Sequence, residues 1–449
     1  MSFKTSRRTF LGTGAAAAAF QILPSRIFAQ SPNEMPNLAF IGAGGRGTAN
    51  ISGCDKAGGA IYAFADVDLR RAAEMRAKHP AAKFYQDWRE MLDKEGKNLD
   101  GVVVSTPDHT HAVAAMAGIK MGLHAYVEKP LTRTISEARA LRDAAKKAGV
   151  CTQMGNTGHA SGGSRLTNEY VRSGSLGTIN LVHCVTSRPS WPQGVVRGPE
   201  APVPAELDWD GWIGPAPMKH YAEKIVPFNW RGYIDYGTGA LGDMGAHIID
   251  HPVWAFGLGT PTSIEVECER DQPGSEADTH PNSCTITMMF DRPGQEPLKL
   301  IWFDGKHRLP VPPTYPRTIT DKEGNQKVVA NIGNGVVYFG SKHVMAHASH
   351  GGNPEILTNP EAFVKPAETL KRSPGHYEEW IQAIREKNPT LAESNFDVGA
   401  HLTEILLLGA MAARQGNGTK ISWDPKTMTT GIAKVDEMVH HQYRAGWSL

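Results

Sequence analysis

The sequence predicts an α/β protein of two domains, in which a parallel sheet with helices on both faces is followed by a largely antiparallel sheet. Three observations predict this class. Apolar strands and amphipathic helices alternate from Asn37 to about Gly155, which is typical of a parallel sheet. A glycine-rich loop follows the first strand. After Gly155 the strands mix polar and apolar residues, as expected for an antiparallel sheet with one covered face.

The first strand and the loop after it organise the N-terminal domain. The apolar run 38–41 leads into the pattern Gly42-x-Gly44-x-x-Gly47, and a helical pattern follows from position 48. Gly42 allows a tight turn, Gly44 allows a pyrophosphate to approach the backbone, and Gly47 allows the helix to pack closely on the strand. The N-terminus of that helix offers free N–H groups to phosphate oxygens. The pattern therefore predicts a dinucleotide-binding site.

Further strands support this interpretation and extend the site. The strand 60–65 ends at Asp66, close to the ~20-residue spacing expected for a carboxylate that binds a ribose. Strands are also predicted at 99–105, 124–127 and 150–154, with helices at 69–79, 112–121 and 136–148. Ligands of such sheets bind at the carboxyl ends of the strands. We therefore expect cofactor contacts from the residues that follow the strands: Gly42, Gly44, Gly45, Arg46, Gly47, Asp66, Thr106, Pro107, His109, His111, Glu128, Lys129 and Asn156.

The segment after the third strand admits two interpretations. His109 and His111 could contact a ligand that lies beside Thr106 and Pro107. In the alternative, Asp108 or Thr110 caps the next helix, because both residue types are strong N-caps. The residues alone do not decide between the two.

The second half of the chain is predicted from a helix at 164–173, strands at 178–186, 263–270, 283–290 and 298–303, and helices at 374–387 and 400–414. A Pro- and Trp-rich insert, 189–227, interrupts these elements. A loop of that length is more often functional than neutral. The segment 310–360 is rich in Gly and Pro and receives no assignment.

Composition excludes several classes of function. The 449 residues suffice for two or three domains. The net charge is +1 and acidic and basic residues are interspersed, so the sequence gives no sign of nucleic-acid binding. The sequence contains no Gly-x-Ser-x-Gly elbow, so a serine hydrolase is not expected. Five scattered cysteines without a Cys-x-x-Cys pair predict neither a disulfide framework nor a zinc knuckle. We expect buried free thiols at Cys54, Cys151, Cys184, Cys268 and Cys284.

The first 29 residues are predicted to be a targeting segment. Ser-Arg-Arg-Thr-Phe-Leu at 6–11 precedes an apolar, Ala-rich run, and Ala29 is a plausible cleavage point. A twin arginine ahead of a mild apolar stretch resembles a Tat export signal, while the run is too short for a stable membrane span. We therefore expect a periplasmic or otherwise exported protein. A cytoplasmic protein with a basic N-terminus is the alternative.

A lysine follows the fourth strand, in Tyr-Val-Glu-Lys-Pro-Leu at 126–131. At the carboxyl end of a strand beside the glycine loop, the Lys129 ammonium could hydrogen-bond a substrate oxygen or shuttle a proton. The Lys129–Pro130 bond is a candidate cis peptide, which would fix the direction of the lysine. The alternative is a surface Glu–Lys pair at a turn.

A second polar cluster lies in Gly-Ala-Leu-Gly-Asp-Met-Gly-Ala-His-Ile-Ile-Asp-His at 239–251. Asp243, His247 and His251 are spaced four residues apart, so on one helix they would share a face. An Asp that orients a His is a common acid–base device. In the alternative, Asp243 caps the helix and His247 packs in the core.

The same segment also admits a metal interpretation. His247-x-x-Asp250-His251 resembles the spacing of zinc-protease helices, with Asp in place of Glu. No third ligand stands nearby in the sequence and Pro252 would disturb the helix, so we predict no metal. Another loose group of histidines beside two glycines is interpreted as a loop: His343, His347 and His350.

Together these motifs resemble the Gfo/Idh/MocA oxidoreductase family, the group of glucose–fructose oxidoreductase and inositol dehydrogenase. The matching stretches are Gly-Ala-Gly-Gly-Arg-Gly at 42–47, Ser-Thr-Pro-Asp-His-Thr-His at 105–111, Glu-Lys-Pro-Leu at 128–131 and Gly-Asp-Met-Gly-Ala-His at 242–247. The resemblance covers nearly the whole chain after the targeting segment. Asn-Trp-Arg at 229–231 and Trp-Asp-Pro at 423–425 resemble the exported branch of the family.

The resemblance implies an N-terminal Rossmann domain at 30–155 and a C-terminal α+β domain at 156–449, whose largely antiparallel open sheet forms a homo-oligomer interface. It implies NAD as the cofactor, because the Asp66 carboxylate would repel a 2′-phosphate, although Arg46 leaves NADP open. It also implies a carbohydrate or polyol substrate. The catalytic set would be Lys129, Asp243 and His247, and the substrate would contact Lys129, Trp230, Arg231, Asp243 and His247.

In these roles, His247 takes the proton of a substrate hydroxyl as hydride leaves the carbon. Lys129 hydrogen-bonds the oxygen, and Asp243 supports both the substrate and the histidine. The insert 189–227 lies where substrate specificity should be set, so the identity of the substrate does not transfer from the family.

We therefore expect an exported oxidoreductase that acts on a hydroxyl of a sugar, glycoside or cyclitol and holds its NAD through oxidation and re-reduction. Two alternatives stay open. One is a glycosidase that uses bound NAD transiently, oxidising a ring hydroxyl so that elimination replaces direct hydrolysis. The other is a non-catalytic sugar-binding protein built on a dinucleotide fold.

Overall fold

The computed structural model describes residues 35–307, 317–320, 326–329 and 333–449. The proposed targeting segment at 1–29 lies outside these residues, as does part of the unassigned stretch 310–360. Two sheets and a separate two-stranded hairpin make up the strand structure of the described chain.

The first sheet is parallel throughout and has the order β3-β2-β1-β4-β5-β6. Its strands are β1 Asn37–Ile41, β2 Ala60–Ala65, β3 Lys83–Tyr85, β4 Gly101–Val104, β5 His124–Val127 and β6 Thr152–Met154. The helices between them are α1 Arg46–Lys56, α2 Leu69–Lys78, α3 Trp88–Glu95, α4 Asp108–Lys120 and α5 Ile135–Ala148.

Both faces of this sheet are covered, as its apolar strands predict. Leu38 and Phe40 pack in a cluster with α1, α2 and a later helix, while Ala39 and Ile41 belong to the main core with α3, α4 and α5. Successive residues of a strand point to opposite faces, so a strand that is apolar at every position has to be buried on both. The predicted doubly wound parallel sheet is confirmed.

β3 and α3 were not predicted from the sequence, because β3 has only three residues and only two of its positions are partly buried. Two helices in this half of the chain begin clearly earlier than the sequence predicts, and in the second half a late helix begins at Phe396 rather than at 400. α1 begins at Arg46, inside the glycine motif, and α4 begins at Asp108 with Pro107 at the N-cap position. The alternative in which Asp108 or Thr110 caps α4 is therefore wrong.

The second half of the chain builds an eight-stranded sheet of order β15-β14-β13-β7-β10-β9-β8-β16, in which only the β7–β10 pair is parallel. Its elements and the separate hairpin β11–β12 are α6 Gly162–Arg172, β7 Ile179–Val185, α7 Trp209–Ile213, α8 Gly239–Gly245, α9 Asp250–Phe256, β8 Ser263–Glu269, β9 Ser283–Phe290, β10 Leu298–Phe303, β11 Arg317–Thr320, β12 Gln326–Val329, β13 Gly335–Gly340, β14 Val344–Ala348, β15 Glu355–Ile356, α10 His376–Glu386, α11 Phe396–Gln415, β16 Lys420–Ser422 and α12 Ala433–Asp436. The predicted, largely antiparallel second sheet is confirmed.

Two late helices join the sheets. α10 returns to the first sheet, where Trp380 packs beside Phe40, and α11 packs between α5 and the inner face of the second sheet. Among the described residues, α11 is the one helix whose length and hydropathy would suit a membrane span, but 83% of its apolar window is buried inside the fold. Its apolar composition is thus explained by its place in the core.

The insert 189–227 is irregular apart from α7, yet it is not loose. Its apolar side chains form a cluster with the segment that follows it, including Leu207, Trp212, Trp230 and Tyr236. Its backbone is tied to the first sheet, because Leu69 N–H donates to Glu206 O at 3.1 Å and other main-chain bonds flank that contact. The insert therefore bridges the two halves of the chain.

Candidate active site

A cleft of about 840 Å³ opens at the carboxyl ends of β1, β2, β4 and β5, facing the second half of the chain. Its walls come from both halves. The glycine loop and the ends of β2, β4 and β5 form one wall, while the insert, α8 and the segment after β14 form the other. This is the edge at which ligands of parallel sheets bind.

Close packing explains two of the three glycines of the loop. A Cβ at Gly42 would lie 2.7 Å from Ser105 O, and a Cβ at Gly47 would collide with Gly42 O. Gly44 differs, because the side chain of Arg71 fills the space where its Cβ would be, with Nε at 2.8 Å. Arg71 therefore lies against the loop, a contact that the glycine pattern does not predict.

Asp66 holds the loop from the end of β2. Its carboxylate accepts hydrogen bonds from the N–H groups of Ala43 at 2.9 Å, Gly44 at 3.2 Å and Asp68 at 3.0 Å. Burial raises the pKa of Asp66, and these three hydrogen bonds oppose that rise. Asp66, which the sequence predicts to bind a ribose, therefore lies beside the glycine loop.

Arg46 and Glu128 pair on the wall of the cleft that the first sheet forms. Arg46 Nε donates to Glu128 Oε1 at 2.8 Å, and the same oxygen accepts a hydrogen bond from Asn50 Nδ2 at 3.0 Å. The carboxylate of Glu128 is buried, whereas the arginine is partly exposed. The predicted cofactor residues Thr106 and Pro107 also line the cleft.

Lys129 and Asp243 form the centre of the site. Lys129 Nζ donates to Asp243 Oδ1 at 2.6 Å and to Asp243 O at 3.0 Å, and the Lys129–Pro130 bond is cis, as predicted. Arg231 Nε donates to the same carboxylate oxygen at 3.2 Å. Burial opposes the ionisation of Asp243, but Lys129 and Arg231 outweigh it, so the pKa of Asp243 is lowered.

His247 lies in the turn between α8 and α9, so the prediction that Asp243, His247 and His251 share one helix face is wrong. Three glycines in 239–245 favour a short helix, and α8 ends at Gly245. Asp243 stands in the last turn of α8 and not at its N-cap, which Thr238 occupies. The capping alternative for Asp243 is therefore wrong as well.

The imidazole of His247 has no carboxylate partner. Its Nδ1 is buried without a hydrogen-bond partner, while Asp243 is engaged by Lys129. Burial, together with the charges of Lys129, His350 and Arg46, lowers the pKa of His247 well below its usual value. The ring is therefore neutral at neutral pH, and Asp243 does not orient it as the family resemblance implied.

His350 stacks on His247. The ring centroids are 3.9 Å apart with an interplanar angle of 20°, and His350 N–H donates to His247 O at 2.9 Å. The interpretation of the His343–His350 group as a loop missed this contact and is wrong for His347, which lies in β14. In the sequence, the sign that this segment could belong to the site was the position of three histidines next to a Gly-Gly pair.

Four predicted cofactor residues do not line the cleft, and Gly47, which packs against Gly42 O, is one of them. His109 is buried between the carbonyl groups of Trp212 and Tyr236. His111 bridges Thr106 O and Pro130 O, each at 2.9 Å. Asn156 Oδ1 accepts a hydrogen bond from Ser394, and its neighbour Thr157 lines the cleft instead. Position after a strand does not reveal which way a side chain turns.

The residues of the metal interpretation are used elsewhere. Asp250 pairs with His159 at 2.9 Å, and His251 contacts Ser164 Oγ at 3.1 Å. Among the residues that the structure describes, no group of three His, Cys, Asp or Glu side chains could hold a metal ion.

The insert contributes to both ends of the cleft. Leu207 and Trp212 line it beside Asp66, at the end of β2. Trp191, together with Phe228 immediately after the insert, lines it near Asp243, where the Arg231 guanidinium that binds this carboxylate lies 6.0 and 4.6 Å from the two rings. The insert therefore covers the end of β2 as well as the substrate side on which the sequence placed it.

Two models of one protein family match the chain. The N-terminal model, described as an oxidoreductase family with an NAD-binding Rossmann fold, matches residues 37–156. The C-terminal model, described as the α/β domain of the same oxidoreductase family, matches residues 177–296, and together they match more than half of the chain. The chain belongs to the Gfo/Idh/MocA oxidoreductase family.

Curated relatives of this family member include sugar and inositol dehydrogenases. Levoglucosan dehydrogenase of Pseudarthrobacter phenanthrenivorans is 27% identical over 42% of this chain and 40% of its own length. The NADP⁺-dependent scyllo-inositol 2-dehydrogenase of Bacillus subtilis is 25% identical over 47% of this chain and 49% of its own length. An α-N-acetylgalactosaminidase of Shewanella oneidensis is 30% identical over 32% of this chain and 34% of its own length. The chain thus spans half or less of the curated relatives it matches.

Solved structures share the fold over most of the chain. The WlbA dehydrogenase of Bordetella pertussis, in complex with NADH and UDP-GlcNAcA, superposes with a TM-score of 0.59 at 15% identity over 87% of this chain and 98% of its own. Levoglucosan dehydrogenase in complex with NADH and levoglucosan gives 0.56 at 16% identity over 86% and 99%. At these identities the likeness establishes the fold alone.

Proposed function

We propose that this family member oxidises a hydroxyl of a sugar, glycoside or cyclitol with NAD or NADP as the hydride acceptor. The observation that carries the proposal is the convergence of Lys129, Asp243 and His247 on the cleft that also holds the glycine loop. A pure binding protein does not need a partly buried lysine, a carboxylate and a neutral imidazole that line the same cleft. The described residues therefore favour the catalytic hypothesis over the sugar-binding one.

The cleft suits a dinucleotide on structural grounds. Gly42 and Gly47 have no room for a side chain, so the loop presents its backbone. The buried Thr106 Oγ1 has no hydrogen-bond partner and is free to bind a ligand. The residues that would hold the cofactor are the glycine loop, Asp66, Thr106 and Glu128. When bound, the nicotinamide ring supplies the hydride chemistry, taking hydride from a carbinol carbon or returning it to a carbonyl.

The side chains handle the proton and the oxygen of the substrate. Lys129 uses two of its three N–H groups on Asp243, which leaves one to donate to a substrate oxygen. Such a charge-assisted bond stabilises negative charge as it develops on that oxygen. His247 is neutral because burial lowers its pKa, so it can accept the hydroxyl proton. Asp243 holds the ammonium and orients it.

The proposal includes retention of the cofactor between turnovers. Asp208 N–H donates to Val67 O at 3.0 Å, and Leu69 N–H donates to Glu206 O at 3.1 Å. These bonds hold the insert beside the carboxylate that would bind the ribose. A nucleotide bound at Asp66 would lie against Leu207 and Trp212 of the insert, and we expect this contact to slow its release. Leu207→Ala, which removes a buried side chain of this contact, should speed NADH release by about tenfold or more, measured by displacement with excess NAD.

The oxidation is tested by incubating the folded protein with NAD and a panel of glycosides, free sugars and cyclitols. The proposal predicts NADH and a keto product, with both lost in His247→Gln and retained in His401→Gln, whose ring lies outside the cleft against Leu258 O. Equal turnover in wild type and His247→Gln would contradict the role of His247.

An NAD-dependent glycosidase is the second candidate. The 30% identity to an α-N-acetylgalactosaminidase favours it, as do the aromatic walls at Trp191 and Phe228, which could accommodate a leaving group. Release of the aglycone from a chromogenic glycoside, without net NADH, would distinguish this activity from simple dehydrogenation. Export through the Tat route and a homo-oligomer through the second sheet remain part of the proposal, and fractionation of native cells and light scattering test them.

A further inference from the structure

Two of the five cysteines stand opposite each other on neighbouring strands of the second sheet. In the antiparallel pair β8–β9, Cys268 stands directly opposite Cys284. Both side chains lie on the inner face of the sheet, where Cys284 is buried in the main core and Cys268 packs partly buried against it. The two cysteines stand on consecutive strands that the sequence predicts, but the register that places them opposite each other comes from the structure.

The hydrogen bonds of the neighbouring strands show which type of cross-strand pair this is. On the β8 side, Cys268 N–H donates away from β9, to Asn417 Oδ1 at 2.9 Å, and Val266 N–H donates to Thr419 O. On the β9 side, Cys284 N–H donates to Asp304 Oδ1 at 2.6 Å and Cys284 O accepts from Asp304 N–H. Neither cysteine bonds its opposite through the backbone, so they form a non-hydrogen-bonded pair.

A pair of this type brings the side chains together. Its Cα atoms lie about 4.5 Å apart, closer than in a hydrogen-bonded pair, and this falls within the ~4.4–6.8 Å range of disulfides. Directly opposite residues also project to the same face of the sheet. The two sulfur atoms can therefore be bridged without a rearrangement of the backbone.

The two thiols differ in a way that suits exchange with an external disulfide. Hydrogen bonding from Cys284 lowers the pKa of Cys268, which is the partly exposed member. The same bond and burial raise the pKa of Cys284 well above its usual value. Because the thiolate is the nucleophile, Cys268 is the group that would react first.

The loop between the cysteines supports the substrate side of the cleft. From this loop, Thr279 Oγ1 accepts from Val195 N–H at 3.0 Å and Asp278 Oδ2 accepts from Arg197 N–H at 3.0 Å, both in the insert. His280 N–H donates to Gly232 O at 2.9 Å, next to Arg231. A link at the base of this loop would therefore tie the insert more firmly to the sheet.

We propose that Cys268 and Cys284 form an intramolecular disulfide when the folded chain meets a disulfide oxidant, and that the bond steadies the insert through the loop 270–282. The Cys268 thiolate attacks one sulfur of the oxidant and releases one thiol. The Cys284 sulfur then attacks Cys268 Sγ in the mixed disulfide and releases the second thiol. The oxidant gains two electrons and the two protons, and the protein loses them.

The test uses the folded full-length chain, reduced and then incubated with oxidised glutathione. After an acid quench, the chain is unfolded, alkylated and mapped without reduction. We expect two fewer alkylated cysteines than in the reduced chain and a peptide pair that joins Cys268 to Cys284. Five alkylated cysteines, a stable glutathione adduct on Cys268, or a cross-link between other cysteines would overturn the proposal.

Variants separate the two steps. Cys284→Ala should trap glutathione on Cys268, whereas Cys268→Ser should leave every remaining thiol unmodified in the folded state. Cys54→Ser, in the buried core of the first sheet, is the matched control and should still lose two thiols. An adduct that forms equally in Cys268→Ser would contradict the assignment of the first nucleophile.

Amide hydrogen exchange tests the effect on the insert. The oxidised chain should exchange more slowly than the reduced chain at the amides of Val195 and Arg197, with no change in the helix α5. Equal exchange in both forms at 194–197 would overturn the claim that the bond steadies the insert. None of these readouts depends on the enzymatic activity.

Discussion

Lys129→Met removes the ammonium at the centre of the proposed site while keeping a side chain of similar length. In the structure the ammonium has two partners on one residue, Asp243 Oδ1 at 2.6 Å and Asp243 O at 3.0 Å, and its side chain is only 12% exposed. The variant therefore loses a donor that is held in position before the substrate arrives. Removing one such donor from a reacting oxygen costs about 2.7–4 kcal/mol, or ~10²–10³ in kcat.

The stability of the variant follows from the same contacts. Asp243 keeps Arg231 as a partner at 3.2 Å, so its charge is not left alone. We expect a loss below the ~3–5 kcal/mol typical of breaking a buried pair completely. The pKa of Asp243, which Lys129 and Arg231 together lower against the effect of burial, should rise in the variant.

Steady-state turnover on a substrate found in the panel gives the readout, with urea unfolding to measure stability. Lys83→Met is the matched control, because Lys83 also binds a carboxylate at 2.6 Å, that of Glu95, but outside the cleft. The control should keep its turnover. A Lys129→Met variant that is folded and loses less than about tenfold in kcat would refute the role of the ammonium.

Three further predictions test the loop, the histidine pair and the buried histidines. Gly47→Ala should weaken NAD binding by more than about tenfold because its Cβ would collide with the loop backbone, whereas Gly162→Ala, in open space, should not; isothermal titration measures both. His350→Phe keeps an aromatic ring on His247 but removes a charge that lowers its pKa, so the acidic limb of kcat/KM should move to higher pH; an unchanged limb would contradict the pairing. Burial lowers the pKa of His109 to about 3, so below about pH 6.5 the unfolded chain binds more protons than the folded chain. The free energy of unfolding should therefore fall as the pH drops below that value, by up to ~1.4 kcal/mol per pH unit for each such histidine. Urea midpoints that agree at pH 7 and pH 5 would refute this.

The sequence predicted the first sheet well because its signals are local. Apolar runs of four to six residues between Gly and polar turns determine the strands, and the glycine pattern after β1 has a mechanical reason in the packing of Gly42 and Gly47. The short strand β3 was not predicted, because three residues that are at most partly buried carry no periodic signal. The starts of α1 and α4 were predicted too late, because Arg46 and Asp108 begin these helices without a side-chain cap that would mark the start.

The candidate site was predicted in part. Lys129 and Asp243 were identified and do meet, although the partner of Asp243 proved to be the lysine and not His247. That choice depends on a tertiary contact between segments 114 residues apart, which no spacing along the chain encodes. His350 was missed for the same reason, because its stacking on His247 is created by the approach of the β14 end to the α8–α9 turn.

Local patterns also could not tell which residues after a strand face the cleft. His109 and His111 follow β4 just as Thr106 does, yet both rings turn into the protein and bind carbonyl oxygens. Histidine suits either place, because each ring nitrogen can meet a buried polar group. The ring of His109 is held by the carbonyl groups of Trp212 and Tyr236, which lie 103 and 127 residues away along the chain. The ring of His111 is held by Pro130 O as well as by the nearby Thr106 O.

Identification and quantification of nucleotide in the folded, purified chain would decide whether the cleft is a cofactor site. The protein is denatured, any released nucleotide is identified, and the apoprotein is then titrated with NAD and NADP. We expect near-equimolar nucleotide after purification, or saturable binding of added NAD that Gly47→Ala weakens by more than about tenfold. A chain that releases no nucleotide and binds neither NAD nor NADP would contradict the assignment of the cleft as a cofactor site, and with it the proposed oxidoreductase.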